Sequence, residues 1–499
     1  MTVYKNFIDG KWIDSKSGKT FIKRNPANID DVIGEFPDST EEDVELAVEA
    51  AKRAFPKWSH VPAPKRAELL KKVTDMLVER KEELARIETR EMGKILMETR
   101  GDVQEAIDTG YYAFGEGRRL FSYTTPSELP DKMAITIRRP VGIAGLITPW
   151  NFPIAIPAWK IFPALLAGNT VVFKPSRESP LSATKFVELF EEAGLPPGVL
   201  NLVHGRGSVV GSAIAMHPDI KVVAFTGSVE TGRKILEMGA QHIKKVSLEL
   251  GGKNGMIVLG DANLDLALEG ALWGAFGTTG QRCTATSRLI LEESIYDEFI
   301  ERLVERAKKI KIGDGLDEST EMGPLVSEAQ RNKVIQYVEI GKNEGAKLVC
   351  GGKIPEGTKY AKGWFYEPTI FVDVTPDMRI AQEEIFGPVL AVFKVKDLDE
   401  AIEVINSTNY GLSSSIYTQD VNKALKAVDR IEAGITYVNG PTIGAECHLP
   451  FGGVKHTGNG HREGGWTAYE IFTEIKTVYI DYSGKLQKAQ IDTEKIKVE

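Results

Sequence analysis

VGIAGLI at 141–147, TVVFKPS at 170–176, GVLNLVHG at 198–205, IKVVAFTGS at 220–228, KKVSLELGG at 244–252 and GMIVLG at 255–260 are short aliphatic runs separated by helical stretches. Continuous apolar runs of this length, with room for a helix between them, read as the strands of a parallel sheet covered by helices on both faces. Ligands of such sheets sit beyond the carboxyl ends of the strands. The residues that close the runs are therefore the ones to inspect: Trp150 and Asn151, Lys174 to Arg177, Gly227 and Ser228, and Glu249.

Upstream, Ser39 and Thr40 followed by acidic residues predict a helix to Phe55, with Val44, Ala47, Val48 and Ala51 at helical spacing. A second amphipathic helix is predicted from Pro64 past Ile87. After Asp261 a helical stretch leads to GTTGQRCTATSRLIL at 277–291. Helices near Ile295–Ile310, Glu328–Glu344 and Leu398–Ser407 then alternate with VLAVFKV (389–395) and ITYVNG (435–440), which suggests a second α/β domain. MAITIRRP (133–140) and IFTEIKTVYIDY (471–482) look like exposed strands outside both sheets. Such strands need a partner to cover their edges, so they are candidate subunit contacts.

The chain has 499 residues, enough for two to four domains with buried cores. Hydrophobic residues make up 42% and charged residues 26%, as in a folded globular protein. A formal charge of −8 disfavours general attraction to nucleic acid or to anionic membranes. The three cysteines, Cys283, Cys350 and Cys447, show no paired spacing for a metal site or a disulfide framework, which fits a reducing compartment. The first residues lack the apolar run of a signal peptide, and the apolar stretch from Ile154 to Phe173 is broken by Lys160, Gly168 and Asn169. A cytoplasmic, enzyme-sized protein without a membrane span or a metal is expected.

Three residues could carry chemistry. Cys283 in GQRCTAT is flanked by a glycine turn, a cation and hydroxyl residues, surroundings that suit a nucleophilic thiolate. The plain alternative is an inert buried cysteine, which is also the reading for Cys350 and Cys447. Glu249, at the end of an apolar run before Gly251 and Gly252, could project into a cleft as a general base or be a solvated strand-end carboxylate. Asn151 in TPWNFP could donate to a developing oxyanion or merely form a turn. FTGSVETG places Gly227 and Ser228 where a helix N-terminus could face an anion, although this is not the GxGxxG fingerprint.

Taken together and in order, NFIDGKW, TPWNFP, KPSRESP, FTGSVETG, LELGGKN, GQRCTA, EEIFGP and PFGGVK make the chain resemble the aldehyde dehydrogenase superfamily over nearly its whole length. The resemblance implies an α/β fold with a Rossmann-type cofactor domain (1–121 and 141–251), an α/β catalytic domain (252–452) and a small β oligomerisation region (122–140 and 467–499). It implies Cys283 as nucleophile, Glu249 as general base, and Asn151 with the Cys283 backbone N–H as oxyanion hole. Lys174 and Glu384 are expected at cofactor ribose hydroxyls, Gly227 and Ser228 near the pyrophosphate, and Phe386 near the nicotinamide. Trp150, Ser176, Arg177 and Gly207 complete the expected cofactor site.

Relatives that use coenzyme A as acyl acceptor generally lack the glutamate, so Glu249 favours hydrolysis to a carboxylic acid. Arg177 stands where the family often carries a glutamate for the adenosine 2′-hydroxyl, and a guanidinium could pair with a 2′-phosphate, so NADP is preferred over NAD. Arg177 could instead stack on adenine or face water. The expected substrate pocket holds Phe152, Trp159, Phe276, Arg282, Thr284, Thr442 and Phe451. Arg282 could meet a carboxylated aldehyde, although a structural cation turned away from the pocket is the plainer reading. GNGHREGG at 458–465 is one residue longer than the common family form, which leaves the role of Glu463 open. The expected partners are a small aldehyde, possibly a semialdehyde, and further copies of the chain in a dimer or homotetramer. A redox-inactive cysteine hydrolase or esterase is the competing enzyme reading, and a non-catalytic binding protein the other; the cofactor motifs argue against the first, the retained nucleophile and base against the second.

Overall fold

A computed structural model describes residues 1–492; residues 493–499 of the predicted oligomerisation region lie outside it. The runs from 141 to 249 form one sheet whose strands lie in the order Lys245–Glu249, Ile220–Thr226, Ile143–Ile147, Thr170–Lys174, Leu200–Leu202, all parallel. Asn6–Ile8 and Lys11–Ile13 extend it antiparallel. The chain leaves the central strand Ile143–Ile147 in one direction and later returns to its other side. The strand order thus reverses between Ile143–Ile147 and Ile220–Thr226, and a crevice for a ligand opens at their carboxyl ends.

GMIVLG is not the next strand of this sheet. Gly251 to Lys253 carry the chain across to a second sheet, where Asn254–Val258 lies between Thr286–Glu292 and Ser413–Tyr417. Five of the six pairings in this sheet are parallel, as in an α/β layer: six of the seven strands run parallel, and only Lys347–Cys350 is antiparallel. The two exposed strands pair with each other. Thr473–Asp481 lies antiparallel to Lys132–Pro140, and Thr124–Pro126 adds a third strand.

Capping explains where the predicted helices begin. The first spans Glu41–His60, and Asp43 accepts the Thr40 backbone N–H at 2.9 Å, which satisfies a donor that the helix leaves free. The long helix predicted past Ile87 is two, Ala63–Glu79 and Lys81–Met92, because Arg80 leaves helical geometry between them. The apolar stretch after Ile154 divides into the helix Ala155–Ala167 and the strand Thr170–Lys174, both fully buried. That helix starts on Asp102, whose carboxylate accepts the Ala155 N–H at 2.7 Å. Among the described residues, no helix is long and apolar enough to cross a membrane.

Candidate active site

The carboxyl ends of the first sheet's strands and the amino ends of the second sheet's strands converge on one cavity of about 120 Å3, with Cys283, Glu249, Arg282, Phe152, Trp159 and Phe451 among its walls. Glu249 ends the edge strand of the first sheet and Cys283 precedes Thr286–Glu292 of the second, so a ligand in the cavity meets both units. Gly252 makes this close approach possible, since a Cβ there would lie 2.4 Å from the Cys283 carbonyl oxygen. That carbonyl accepts the Asn254 side-chain N–H at 2.7 Å, and Asn254 also donates to Ala285 at 2.9 Å. A single asparagine therefore holds the cysteine loop on both sides of its turn.

Asn151 is 2% exposed and donates one amide N–H to the Gln281 carbonyl at 3.1 Å. An amide has a second N–H, and this one is left for a ligand. Both carboxylate oxygens of Glu249 are buried without a hydrogen-bond partner. Burial pushes its pKa up to about 8, against the pull of Lys160 and Arg462. A carboxyl poised there can take a proton from water near neutral pH.

The thiolate expected from the neighbours of Cys283 in sequence is not favoured. Burial, then the charges of Glu384 and Glu249, push its thiol up to about 12, while the N–H groups of Thr284 and of Cys283 itself pull it down. Arg282 does not offset this, because it pairs with Glu98 at 3.1 Å and donates to the Thr278 hydroxyl at 2.8 Å. Arg282 nevertheless lines the cavity, stacked between Trp273 and Phe152 with its carbon 5.1 and 5.5 Å from their ring centres.

Thr284 also reaches the cavity, but two expected pocket residues do not. Phe276 is 3% exposed because, as the last residue of the helix Leu264–Phe276, it packs into the core beneath the second sheet. Thr442 is fully buried and uses its hydroxyl on the Thr284 carbonyl at 2.6 Å, bracing the cysteine loop from behind. Cys447 is half-buried rather than enclosed, and Cys350 is buried as expected.

The motif reading left the role of Glu463 open and missed Lys160 behind the cavity. Glu463 and Phe451 exchange backbone hydrogen bonds of 2.8 and 2.6 Å, and Asn459 ties the same segment to the edge strand through Leu248 and Val246. The long GNGHREGG segment thus lies along the sheet edge and delivers the Glu463 carboxylate to the buried Lys160 ammonium. Burial lowers Lys160 to about 7, and the nearby Glu249 opposes that shift. The Trp159 indole N–H is buried with no partner. Apart from this cavity, a groove of about 910 Å3 lies beside the edge strand Lys347–Cys350 of the second sheet, near Lys308 and Tyr360, and contains none of these groups.

On the other side of Cys283 lies the crevice at the strand-order reversal. Lys174 is 4% exposed and donates to the Pro175 carbonyl at 2.8 Å; burial and the adjacent Arg177 lower it to about 8. Arg177 lies 4.1 Å over the Phe21 ring, and its Nε is buried without a partner. Ser176 accepts the Glu178 N–H at 3.2 Å, Gly207 opens the turn Gly207–Gly211, and Ser228, next to Gly227, caps the helix Val229–Ala240. Glu384 accepts the Gly252 N–H at 3.0 Å. Phe386 holds φ at 60° and sets its ring edge-on to Trp150 at 5.4 Å. A strained backbone there marks a position held by its surroundings. The buried Lys174, the half-buried Arg177, a helix N-terminus and the Glu384 carboxylate suit a phosphate-bearing dinucleotide with ribose hydroxyls.

The aldehyde dehydrogenase family model matches residues 12–478. The chain belongs to the aldehyde dehydrogenase family. Alpha-ketoglutaric semialdehyde dehydrogenase of Bacillus subtilis (strain 168) is 46% identical over 477 residues, covering 96% of this chain and 98% of the relative. Alpha-ketoglutarate semialdehyde dehydrogenase of Haloferax volcanii is 45% identical over 479 residues, covering 96% and 99%. The solved structure of betaine aldehyde dehydrogenase from Staphylococcus aureus in complex with NAD+ superposes with a TM-score of 0.94 at 37% identity, covering 97% of this chain and 95% of that one. This aldehyde dehydrogenase is thus an NAD(P)-dependent oxidoreductase that converts an aldehyde to its carboxylic acid.

Proposed function

We propose that this enzyme oxidises a short semialdehyde bearing a terminal carboxylate, with Cys283 as nucleophile, Glu249 as general base and Asn151 as oxyanion donor. The observation that carries this reading is the single cavity bounded by Cys283 and Glu249 and, as its one Lys or Arg side chain among the described residues, by Arg282. The names of the semialdehyde dehydrogenases above support the same substrate class.

The Cys283 thiol gives up its proton to solvent as Sγ adds to the aldehyde carbon, and the charge that develops on oxygen falls to the free N–H of Asn151 and to the Cys283 backbone N–H. Lys174, Glu384, Arg177 and the N-terminus of the helix Val229–Ala240 would hold the dinucleotide, together with Trp150, Ser176, Gly207, Gly227, Ser228 and Phe386. When bound, the nicotinamide supplies the acceptor for the hydride that leaves the thiohemiacetal carbon. Glu249 then takes a proton from water, the hydroxide so formed attacks the thioester, and the acid leaves as the thiol is restored. Lys160, paired with Glu463 behind Glu249, and Arg462 stabilise its ionised form.

Arg177 supports a preference for NADP, because its guanidinium has no carboxylate partner among the described residues and Glu178 beside it is taken by Lys23 at 2.8 Å. The first sheet with residues 1–121 and 141–251 is read as the cofactor domain, and 252–452 as the catalytic domain. The sheet of residues 122–140 and 467–492 is read as an oligomerisation region, supported by exposed Met133, Ile475, Tyr479 and Ile480. That surface supports a dimer or tetramer, and the three cysteines, unpaired among the described residues, support a reducing compartment such as the cytoplasm.

The test compares α-ketoglutarate semialdehyde with pentanal in wild type and Arg282→Leu. The expected result is a preference for the anionic aldehyde that falls about tenfold in kcat/KM on loss of the guanidinium. An unchanged ratio would remove the carboxylate from the reading.

A further inference from the structure

The cavity that holds Cys283 also holds a carboxyl that the reaction leaves unused. Glu105, on the helix Leu96–Glu116, lines the wall together with Arg282 and Phe152. The hydrogen bond it receives, from the Thr109 hydroxyl at 2.8 Å, goes to its backbone carbonyl. Its carboxyl has no hydrogen-bond or ion-pair partner among the described residues. The nearby cations are engaged elsewhere: Lys94 with Glu88 and Asp102 at 2.7 and 2.8 Å, Arg282 with Glu98 at 3.1 Å. An unpartnered acid facing an apolar cavity is costly, and such groups are kept where a ligand meets them.

The charged and titratable groups around Glu105 come from five elements. Asp102 and Asp108 share its helix, and Lys94 precedes that helix. Arg282 comes from the cysteine loop. Tyr437 on the strand Ile435–Val438 of the second sheet, and Cys447 with Glu446 beside it in the loop that follows, face Glu105. Burial and the charge of Asp102 push Glu105 up to about 8, while Tyr437 and Cys447 are pushed to about 12 and about 11. At pH 7 the carboxyl is therefore neutral and carries a hydrogen to donate. Arg282 donates from Nε to Thr278 and from Nη2 to Glu98, and Nη1 is left without a partner among the described residues.

We propose that Glu105 and Arg282 form one receptor for the substrate's tail: the neutral Glu105 carboxyl donates to a terminal carboxylate held by Arg282, and ionisation of Glu105 turns the same site from anionic toward cationic aldehydes. This rests on the semialdehyde reading above and adds to it a dependence of substrate charge preference on pH. Below about 8 two donors face the tail; above it an anion stands beside the guanidinium, repels a carboxylate and attracts an ammonium.

The experiment measures kcat/KM with NADP for α-ketoglutarate semialdehyde, pentanal and betaine aldehyde from pH 6.5 to 9.5, in wild type, Glu105→Gln and Glu105→Leu. Dividing by the pentanal value cancels the titrations of Cys283 and Glu249 that are common to all three aldehydes. In wild type the anionic ratio is expected to fall, and the cationic ratio to rise, about tenfold through pH 8. Glu105→Gln keeps a donor without ionising, so its anionic ratio stays high and flat; Glu105→Leu loses the donor, so its ratio is low and flat. Wild-type ratios that ignore pH, or a Glu105→Gln variant that titrates like wild type, would overturn the proposal. If only the semialdehyde reading is wrong, the anionic aldehyde shows no advantage at pH 6.5 but the cationic ratio still rises through pH 8 in wild type and not in Glu105→Gln.

Discussion

Asn151 donates to the carbonyl of Gln281 across 3.1 Å, and this bond ties the loop that ends the central strand of one sheet to the loop that carries the nucleophile of the other. The two halves of the oxyanion site are thereby set before any substrate arrives, which is the condition under which such donors lower a barrier most. Asn151→Ala removes both the tie and the free donor. The first reduction step should slow by about 10²–10³-fold in single-turnover experiments, with a much smaller change in dinucleotide affinity.

Glu249→Gln separates two roles of one carboxyl. Rapid mixing should show a burst of reduced cofactor followed by turnover at least about 10²-fold slower, because water is no longer activated. The same change removes an anion that raises the Cys283 thiol, so alkylation of Cys283 by iodoacetamide at pH 8 should become faster. Slower alkylation would mean that Glu249 acts as the thiol's base.

Lys160 holds the pKa of Glu249 down, since an adjacent cation favours the ionised carboxylate. In Lys160→Met that support is lost and the pKa of Glu249 rises further. The acid limb of the deacylation rate, which follows ionised Glu249 and centres near 8 in wild type, should move to higher pH. Thioester hydrolysis followed across pH 6 to 10 measures this directly.

Arg177→Glu places an anion where the guanidinium now lies over Phe21. The ratio of kcat/KM for NADP over NAD should fall by about 10²-fold or more, from loss of a charge-assisted pair and gain of repulsion. An unaltered ratio would show that Arg177 does not meet the 2′ position.

The strand-end residues were legible because short apolar runs closed by glycine or a turn announce both the sheet and its ligand edge; Asn151, Lys174 and Glu249 follow from that pattern. What sequence neighbours misreported was charge. Arg282 adjoins Cys283 in the chain and suggested a thiolate, yet in space it serves Glu98, while Glu384 and Glu249, distant in sequence, face the sulfur. Lys160 was visible as a break in an apolar stretch but not as the partner of Glu463, because that pairing depends on a segment 303 residues away lying along the sheet edge. Glu105 was invisible for the opposite reason: on the helix Leu96–Glu116 one more acidic residue looks like solvated surface. The long predicted helix broke at Arg80 where no proline or glycine marks the end.

The central claim is that the aldehyde carbon passes through a covalent bond to Cys283. The most direct measurement is mass spectrometry of Glu249→Gln quenched within the burst after mixing with aldehyde and NADP, with the modified peptide sequenced. The account predicts an acyl adduct on the peptide containing Cys283, absent in the Cys283→Ser, Glu249→Gln double variant. Reduced cofactor formed at the wild-type burst rate without that adduct, or with the adduct on another residue, would contradict it.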